Sequence, residues 1–221
     1  MSSRKLLSRH SFDERDFANK IALELIKKAG TPIAAPSANS FGFLSPTTAV
    51  HVEKQLGNRI SFILDGGQTD VGVESTILQI FDDEAVLLRP GGITLEAIQK
   101  LIGKVEIKIS GDENPNSPGQ LKQHYSPKIP LKIFEDKIPK NIDPDKTGAL
   151  FFKMNKFRAK FKVEKFLSPE GDLRKAAANL FLFLHEMEKE DIELIIAEAV
   201  PDSGLGKAIM DRLERAAAKY S

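Results

Sequence analysis

The 221-residue chain contains no cysteine, which excludes disulfides, thiolate zinc sites and cysteine nucleophiles and fits a reducing, cytoplasmic setting. No apolar run approaches the roughly 18 residues that span a bilayer, so no membrane role is expected. Charge imbalance is also missing. The 32 basic residues are matched by 31 acidic ones, and the chain therefore lacks the global positive field of a dedicated duplex-DNA binder; any nucleic-acid contact has to be local. Its four histidines show no metal-ligand spacing with carboxylates, so no intrinsic metal site is expected. What remains is 41% hydrophobic and 29% charged, enough to bury a sizeable core in one large domain or two small ones.

Periodicity divides the chain in two. "IALELIKKAG", Ile21 to Gly30, has a helical apolar face, late lysines and a glycine stop. "PIAAP" reads as a short strand, and Ser45-Pro46 as the cap and first turn of a helix through Leu56. "RISFILDGG" is expected to be a strand entering a glycine turn, and "ESTILQIF" and "AVLLRPGG" two strands joined by an acidic turn. A helix between Thr94 and Gly103 and the strand "KVEIKI" follow. Ser110 to Pro130 is rich in Pro, Gly, Asn and Ser and reads as a linker. Beyond it, "LKIFE", "GALFFK", "FKVEKFL" and "IELIIAEAV" alternate with helices over Leu173–Met187 and in "GLGKAIMDRLERAAAKY". That alternation predicts a small α/β domain with a mostly parallel sheet. The expected division is 1–109, a connector at 110–130, and 131–221.

The common nucleotide motifs are absent. "GLGKAI" lacks the spacing and the hydroxyl after lysine of a phosphate loop and reads as a turn opening a helix. "DGG" at Asp65 to Gly67 is an ordinary turn dipeptide pair. His51 and His185 are expected to be solvated, partly packed or at a core edge, and "RAAAKY" a solvated helix end. Three features resist a packing explanation. Ser37 and Asn39 occupy a strand-to-helix connection; Glu74-Ser75-Thr76 places a hydroxyl at a strand mouth; Arg89 ends an apolar strand, where its planar guanidinium suits a phosphate or carboxylate. Together they suggest an anionic, polyhydroxylated ligand, with catalysis by positioning and charge stabilisation as in nucleotidyl transfer.

In order along the chain, "PIAAPSAN", "SPTTAVHV", "ILDGG", "VGVESTI", "LLRPGGIT" and "SPGQLKQHYSP" resemble the long form of the L-threonylcarbamoyladenylate synthase family. The resemblance implies a YrdC-like α/β catalytic domain with a twisted mixed sheet, then a small Rossmann-like α/β domain. It implies an enzyme joining L-threonine, bicarbonate and ATP into threonylcarbamoyl-AMP, with pyrophosphate released and magnesium carried by the nucleotide. The product feeds threonylcarbamoyladenosine formation in tRNA, so the implied partners are the transfer machinery downstream and tRNA or double-stranded RNA. By resemblance Ser37 and Asn39 are catalytic and contact ATP with Ser11, Ser45, Arg89 and Tyr125, while Arg15, Ala35 and Ser75 hold threonine. The linker becomes a lid excluding water from a labile mixed anhydride. Family members carry roughly one hundred further residues with a basic Lys-x-Arg element ahead of this region, a complement that a domain of ordinary size needs. The chain is therefore expected to be the C-terminal part of a synthase, the alternative being a non-catalytic remnant or a nucleotide- or RNA-binding module.

Overall fold

The computed structural model describes residues 19–81, 84–108, 124–154 and 160–220. Its first helix, α1 (Lys20–Ala29), starts where Asn19 Oδ1 accepts from the Ile21 and Ala22 amides, both at 3.1 Å, and stops at Gly30 in the left-handed region. None of its residues is buried among the described residues. The next helix, α2 (Ala49–Leu56), begins three residues later than expected. Ser45 does not cap it, because the Ser45 hydroxyl donates to the Glu74 carboxylate; Thr48 caps instead, its Oγ1 accepting from the His51 amide. "PIAAP" and "RISFILDGG" are not strands. An extended segment becomes a strand only with a ladder partner, and neither has one among the described residues; Phe62 and Leu64 in the second are 89% and 60% exposed.

The expected hairpin is present as β1 (Ile77–Phe81) and β2 (Glu84–Arg89), antiparallel with Leu78 opposite Leu87; the acidic turn itself, 82–83, lies outside the described residues. Helix α3 (Leu95–Ile102) then returns the chain so that β3 (Val105–Ile107) runs parallel to β2, completing a mixed three-stranded sheet. Leu87, Leu95, Ile98 and Val105 are buried between sheet and helix. Thr94 Oγ1 accepts from the Ala97 amide at 3.3 Å and so caps α3. Replacing Thr94 by alanine is expected to cost about 1 kcal/mol, measurable as a small fall in the urea midpoint at unchanged slope.

The second sheet contains β4 (Leu131–Phe134), β5 (Thr147–Phe151), β6 (Val163–Phe166) and β7 (Leu194–Glu198), all parallel in the order β4-β7-β5-β6. Both faces are apolar, as a parallel sheet requires. The two-residue period of β5 sends Leu150 to one face and Ala149 and Phe151 to the other. The first face is covered by α4 (Leu173–Met187) and α5 (Leu205–Ala217) through Leu180, Phe181, Leu184 and Leu213; Phe134 and Phe166 pack on Phe151 at the second. The core under α4 and α5 also takes in Leu44, Val71, Val73 and Tyr125. Val71-Gly72-Val73 lies directly on the α4 backbone, and Gly72, at φ 71°, leaves no room for a side chain there.

Two sequence expectations fail at this junction. His51 and His185 are neither solvated nor at the edge: each is 5% exposed, and their rings stack at 3.9 Å. Arg215 of "RAAAKY" is buried beside Asp211, with Nε donating to Oδ1 at 2.9 Å, instead of solvated. For the histidines the two packed surfaces come from segments far apart in sequence; for Arg215 a carboxylate one helical turn earlier pairs with the buried charge.

The candidate functional site

The motif residues fall on four segments that converge beside α5. The loop after α1 carries Ala35 and Ser37 exposed, then Asn39, whose Nδ2 donates to the Ser40 and Phe43 carbonyls at 3.1 and 3.2 Å. Asn39 Oδ1 is buried and has no partner among the described residues. Gln55 on α2 staples this loop, accepting from the Ser40 amide at 3.0 Å and donating to the Leu44 carbonyl at 2.9 Å. The sequence reading passed over Gln55, which stands in the last turn of α2 and reaches back to the loop. The "DGG" turn is tied to α1, since Asn19 Nδ2 donates to the Gly66 carbonyl at 3.0 Å.

Ser45 is buried and held by Glu74, the residue before Ser75. Arg89, at the end of β2, is also buried; its Nε and Nη2 donate to the Ser75 carbonyl at 3.0 and 2.9 Å. Its guanidinium thus fixes the backbone of the 74–76 segment. The turn after β2 packs on the same segment, with the Gly92 amide donating to the Glu74 carbonyl at 3.0 Å and Thr76 Oγ1 to the Ile93 carbonyl at 2.5 Å. Gly91 sits so close that a Cβ would lie 2.3 Å from the Glu74 carbonyl oxygen, which explains the first residue of the glycine pair in "RPGG". Tyr125, at φ 58°, is 1% exposed and packs against Phe181; next to it, Ser126 forms a parallel bridge with Phe43. Ser11, Arg15 and most of the connector lie outside the described residues.

The electrostatic centre is a carboxylate that the sequence reading used only as a marker. Burial pushes the Glu74 carboxyl up, but Arg212, the Ser45 hydroxyl and Arg89 outweigh it and hold the group below its ordinary range. Arg212 Nε donates to Glu74 Oε2 at 2.8 Å from a fully buried position on α5. Burial raises the Tyr125 phenol, and burial lowers His124, whose Nδ1 has no partner among the described residues. Among the described residues no group of three His, Asp or Glu side chains is placed to hold a metal ion. No helix among them is long and apolar enough to cross a membrane. This arrangement supplies hydroxyl, amide and guanidinium groups on fixed backbone and no free strong base, which suits binding and charge stabilisation better than proton abstraction.

A groove of about 820 Å³ lies elsewhere, at the carboxyl ends of β4, β5 and β7. Glu135, Asp136, Glu198, Asp202, Asp211 and Glu214 outnumber Lys153 and Lys207 in its lining, and none of Ala35, Ser37, Asn39, Ser45, Ser75, Arg89 and Tyr125 lines it. Acidic walls oppose a polyphosphate, so its size does not make it the nucleotide site.

Residues 93–218 match the family described as threonylcarbamoyl-AMP synthase, C-terminal domain, and residues 17–91 the family described as telomere recombination. Over 208 residues the chain is 43% identical to threonylcarbamoyl-AMP synthase of Bacillus subtilis, covering 89% of this chain and 60% of that protein. It is 37% identical over 214 residues to threonylcarbamoyl-AMP synthase of Pyrococcus abyssi, covering 90% and 62%. The crystal structure of P. abyssi Sua5 complexed with L-threonine superimposes with a TM-score of 0.78 at 34% identity, again over 90% of this chain and 62% of that one. The chain thus spans about three fifths of the length of these relatives.

Proposed function

This chain belongs to the threonylcarbamoyl-AMP synthase family, and on that footing we propose that it takes part in making threonylcarbamoyl-AMP from L-threonine, bicarbonate and ATP, with release of pyrophosphate, for modification of tRNA in the cytoplasm. The observation that carries the reading is the joining of "VGVEST" to "LLRPGG" through Arg89 and the Ser75 carbonyl. That contact fixes a hydroxyl and a guanidinium in one neighbourhood, the pairing that a threonine and a phosphate together require. Ser11, Ser37, Asn39, Ser45 and Arg89 are assigned to ATP; Ala35, Ser75 and Arg15 are assigned to threonine. Tyr125, packed under Arg212, is assigned to the nucleotide as well.

Reaction requires the threonine ammonium group and bicarbonate to form a carbamate, with water and a proton lost to solvent, and a carbamate oxygen to bond the α-phosphorus as the bond to pyrophosphate breaks. The residues present orient these groups and spread the developing charge; none is asked to move a proton. Glu74 is committed to Ser45 and Arg212, so magnesium arrives with the nucleotide, where it neutralises phosphate charge. RNA contact is assigned to local surfaces, in keeping with the near-zero net charge.

The test is pyrophosphate release from ATP by the purified chain. Release that depends on both threonine and bicarbonate is expected. ATP binding without such release would reduce the chain to a nucleotide-binding module, and absence of both would sink the reading. Where ATP binds, Arg89→Ala is expected to weaken it about tenfold, or 1.4 kcal/mol, by calorimetry; unchanged affinity would count against the assignment.

A further inference from the structure

Glu74, Pro90 and Tyr125 stand on three segments, next to or among the residues assigned above, and one side chain from outside the catalytic motifs touches all three. Arg212 Nε donates to Glu74 Oε2 at 2.8 Å. Its Nη1 donates to the Pro90 carbonyl at 2.8 Å and to Asp211 Oδ2 at 2.6 Å. Its Cζ lies 5.2 Å from the centre of the Tyr125 ring. A guanidinium is planar, with donors at fixed angles, so contacts along two of its edges and one face define its orientation as well as its place. Asp211 completes the hold, gripping Arg212 with one oxygen and Arg215 with the other. Through Glu74 the chain of contacts reaches the Ser45 hydroxyl, and through Pro90 it reaches the residue after Arg89.

We propose that Arg212, carried by the C-terminal helix, is a positioning residue for the synthase site. It sets the relative placement of the Ser45, Ser75 and Arg89 segments without touching substrate. The proposal rests on the functional reading above and adds to it that the second sheet and its helices are part of the active site's frame. Stability alone does not account for the arrangement. Burying a guanidinium and a carboxylate is costly, and well-packed apolar residues of similar volume commonly do as well or better for stability. Here one guanidinium nitrogen, Nη2, is moreover left without a partner among the described residues while fully buried. What the ion pair provides and an apolar pair does not is direction: the carboxylate of Glu74 is aimed so that its other oxygen receives Ser45.

Three variants test this. Arg212→Met leaves Glu74 buried without its cation. Its melting temperature is expected to fall, and the amides of 74–76 and 89–92 to lose at least tenfold in hydrogen-exchange protection relative to those of the parallel sheet. Its kcat/KM for threonine is expected to drop about 100-fold, the scale of a misplacement of roughly 1 Å. Arg212→Met combined with Glu74→Gln removes both charges. That double variant is expected to recover most of the melting temperature but to remain at least tenfold low in kcat/KM. Arg212→Lys keeps the charge and loses the paired geometry, and is expected to fall between wild type and Arg212→Met in kcat/KM. A double variant with wild-type kcat/KM would show the pair to be structural only, and unchanged exchange at 74–76 in Arg212→Met would overturn the proposal outright. If the wild-type chain releases no threonine-dependent pyrophosphate, the functional reading fails by itself, and the exchange comparison alone decides whether Arg212 places these segments.

Discussion

Gly72→Ala is expected to lower stability by about 3 to 5 kcal/mol, through overpacking plus the cost of a positive φ. The added methyl would stand 2.4 Å from the Ala177 carbonyl oxygen and 2.7 Å from the Ala178 Cα. Both are backbone atoms inside α4, so the helix cannot yield by turning a side chain. The strain has to be relieved by lifting Val71 and Val73 out of the core they share with Leu180 and Phe181. A control separates the two contributions. Gly30 also has a positive φ, 63°, but nothing lies within 4 Å of its missing Cβ, and Gly30→Ala should cost only about 1 kcal/mol. Urea titration of both variants measures the contrast, and equal losses would show that α4 does not press on Gly72.

Acid is expected to loosen the same junction. Burial lowers the His51 imidazole to about 4, helped by His185, Lys189 and Lys54 and opposed by Glu186. Thr47 approaches His51 Nδ1 through its amide and hydroxyl, both at 3.3 Å. His185 presents Nε2 to the Ser45 carbonyl at 3.1 Å and Nδ1 to Glu188 at 3.8 Å. Glu188 is raised by burial, but His185 and the Lys128 amide outweigh this and hold it below its ordinary range. A base whose folded pKa is depressed binds protons better when unfolded. Its stabilisation is therefore complete above about pH 6.5 and is lost as pH falls toward 4, amounting to about 2 to 3 kcal/mol by pH 4.5. Glu74, also depressed, acts in the same direction at lower pH. His51→Phe keeps a ring against His185 without the titration, so its melting temperature should fall less between pH 7 and 4.5 than the wild type's. Parallel curves would remove His51 as the source.

The C-terminal sheet was legible because each of its elements carries its own signal. The apolar alternation of β5 and the period of α4 need no distant partner to be recognised. The failures lie where partners decide. "PIAAP" and "RISFILDGG" are apolar enough for strands, but a strand is a pairing, and composition does not contain the pair. Ser45 and Thr48 are equally good caps by type; a carboxylate 29 residues away takes the first and leaves the second. Order and spacing of motifs picked out Ser45, Ser75, Arg89 and Tyr125, which the fold does bring to one side of α5. Glu74 was read only as the residue before Ser75, and Arg212 was not singled out. A signal for Arg212 was present: it stands four residues from both Ala208 and Ala216, on the apolar stripe of its helix. A charge there needs a buried partner.

The contact between Glu74 and Arg212 joins residues 138 apart, and it also has a meaning in time. A ribosome makes Ser45, Glu74 and Pro90 well before it makes α5, so the early segments emerge without the cation that orients them. Contacts of such long sequence separation form late, after the entropy of closing the intervening loop has been met. The growing chain therefore holds these segments unassembled until α5 has been synthesised and has docked, and a partly made polypeptide is not expected to hold Ser45, Glu74 and Pro90 in their folded arrangement.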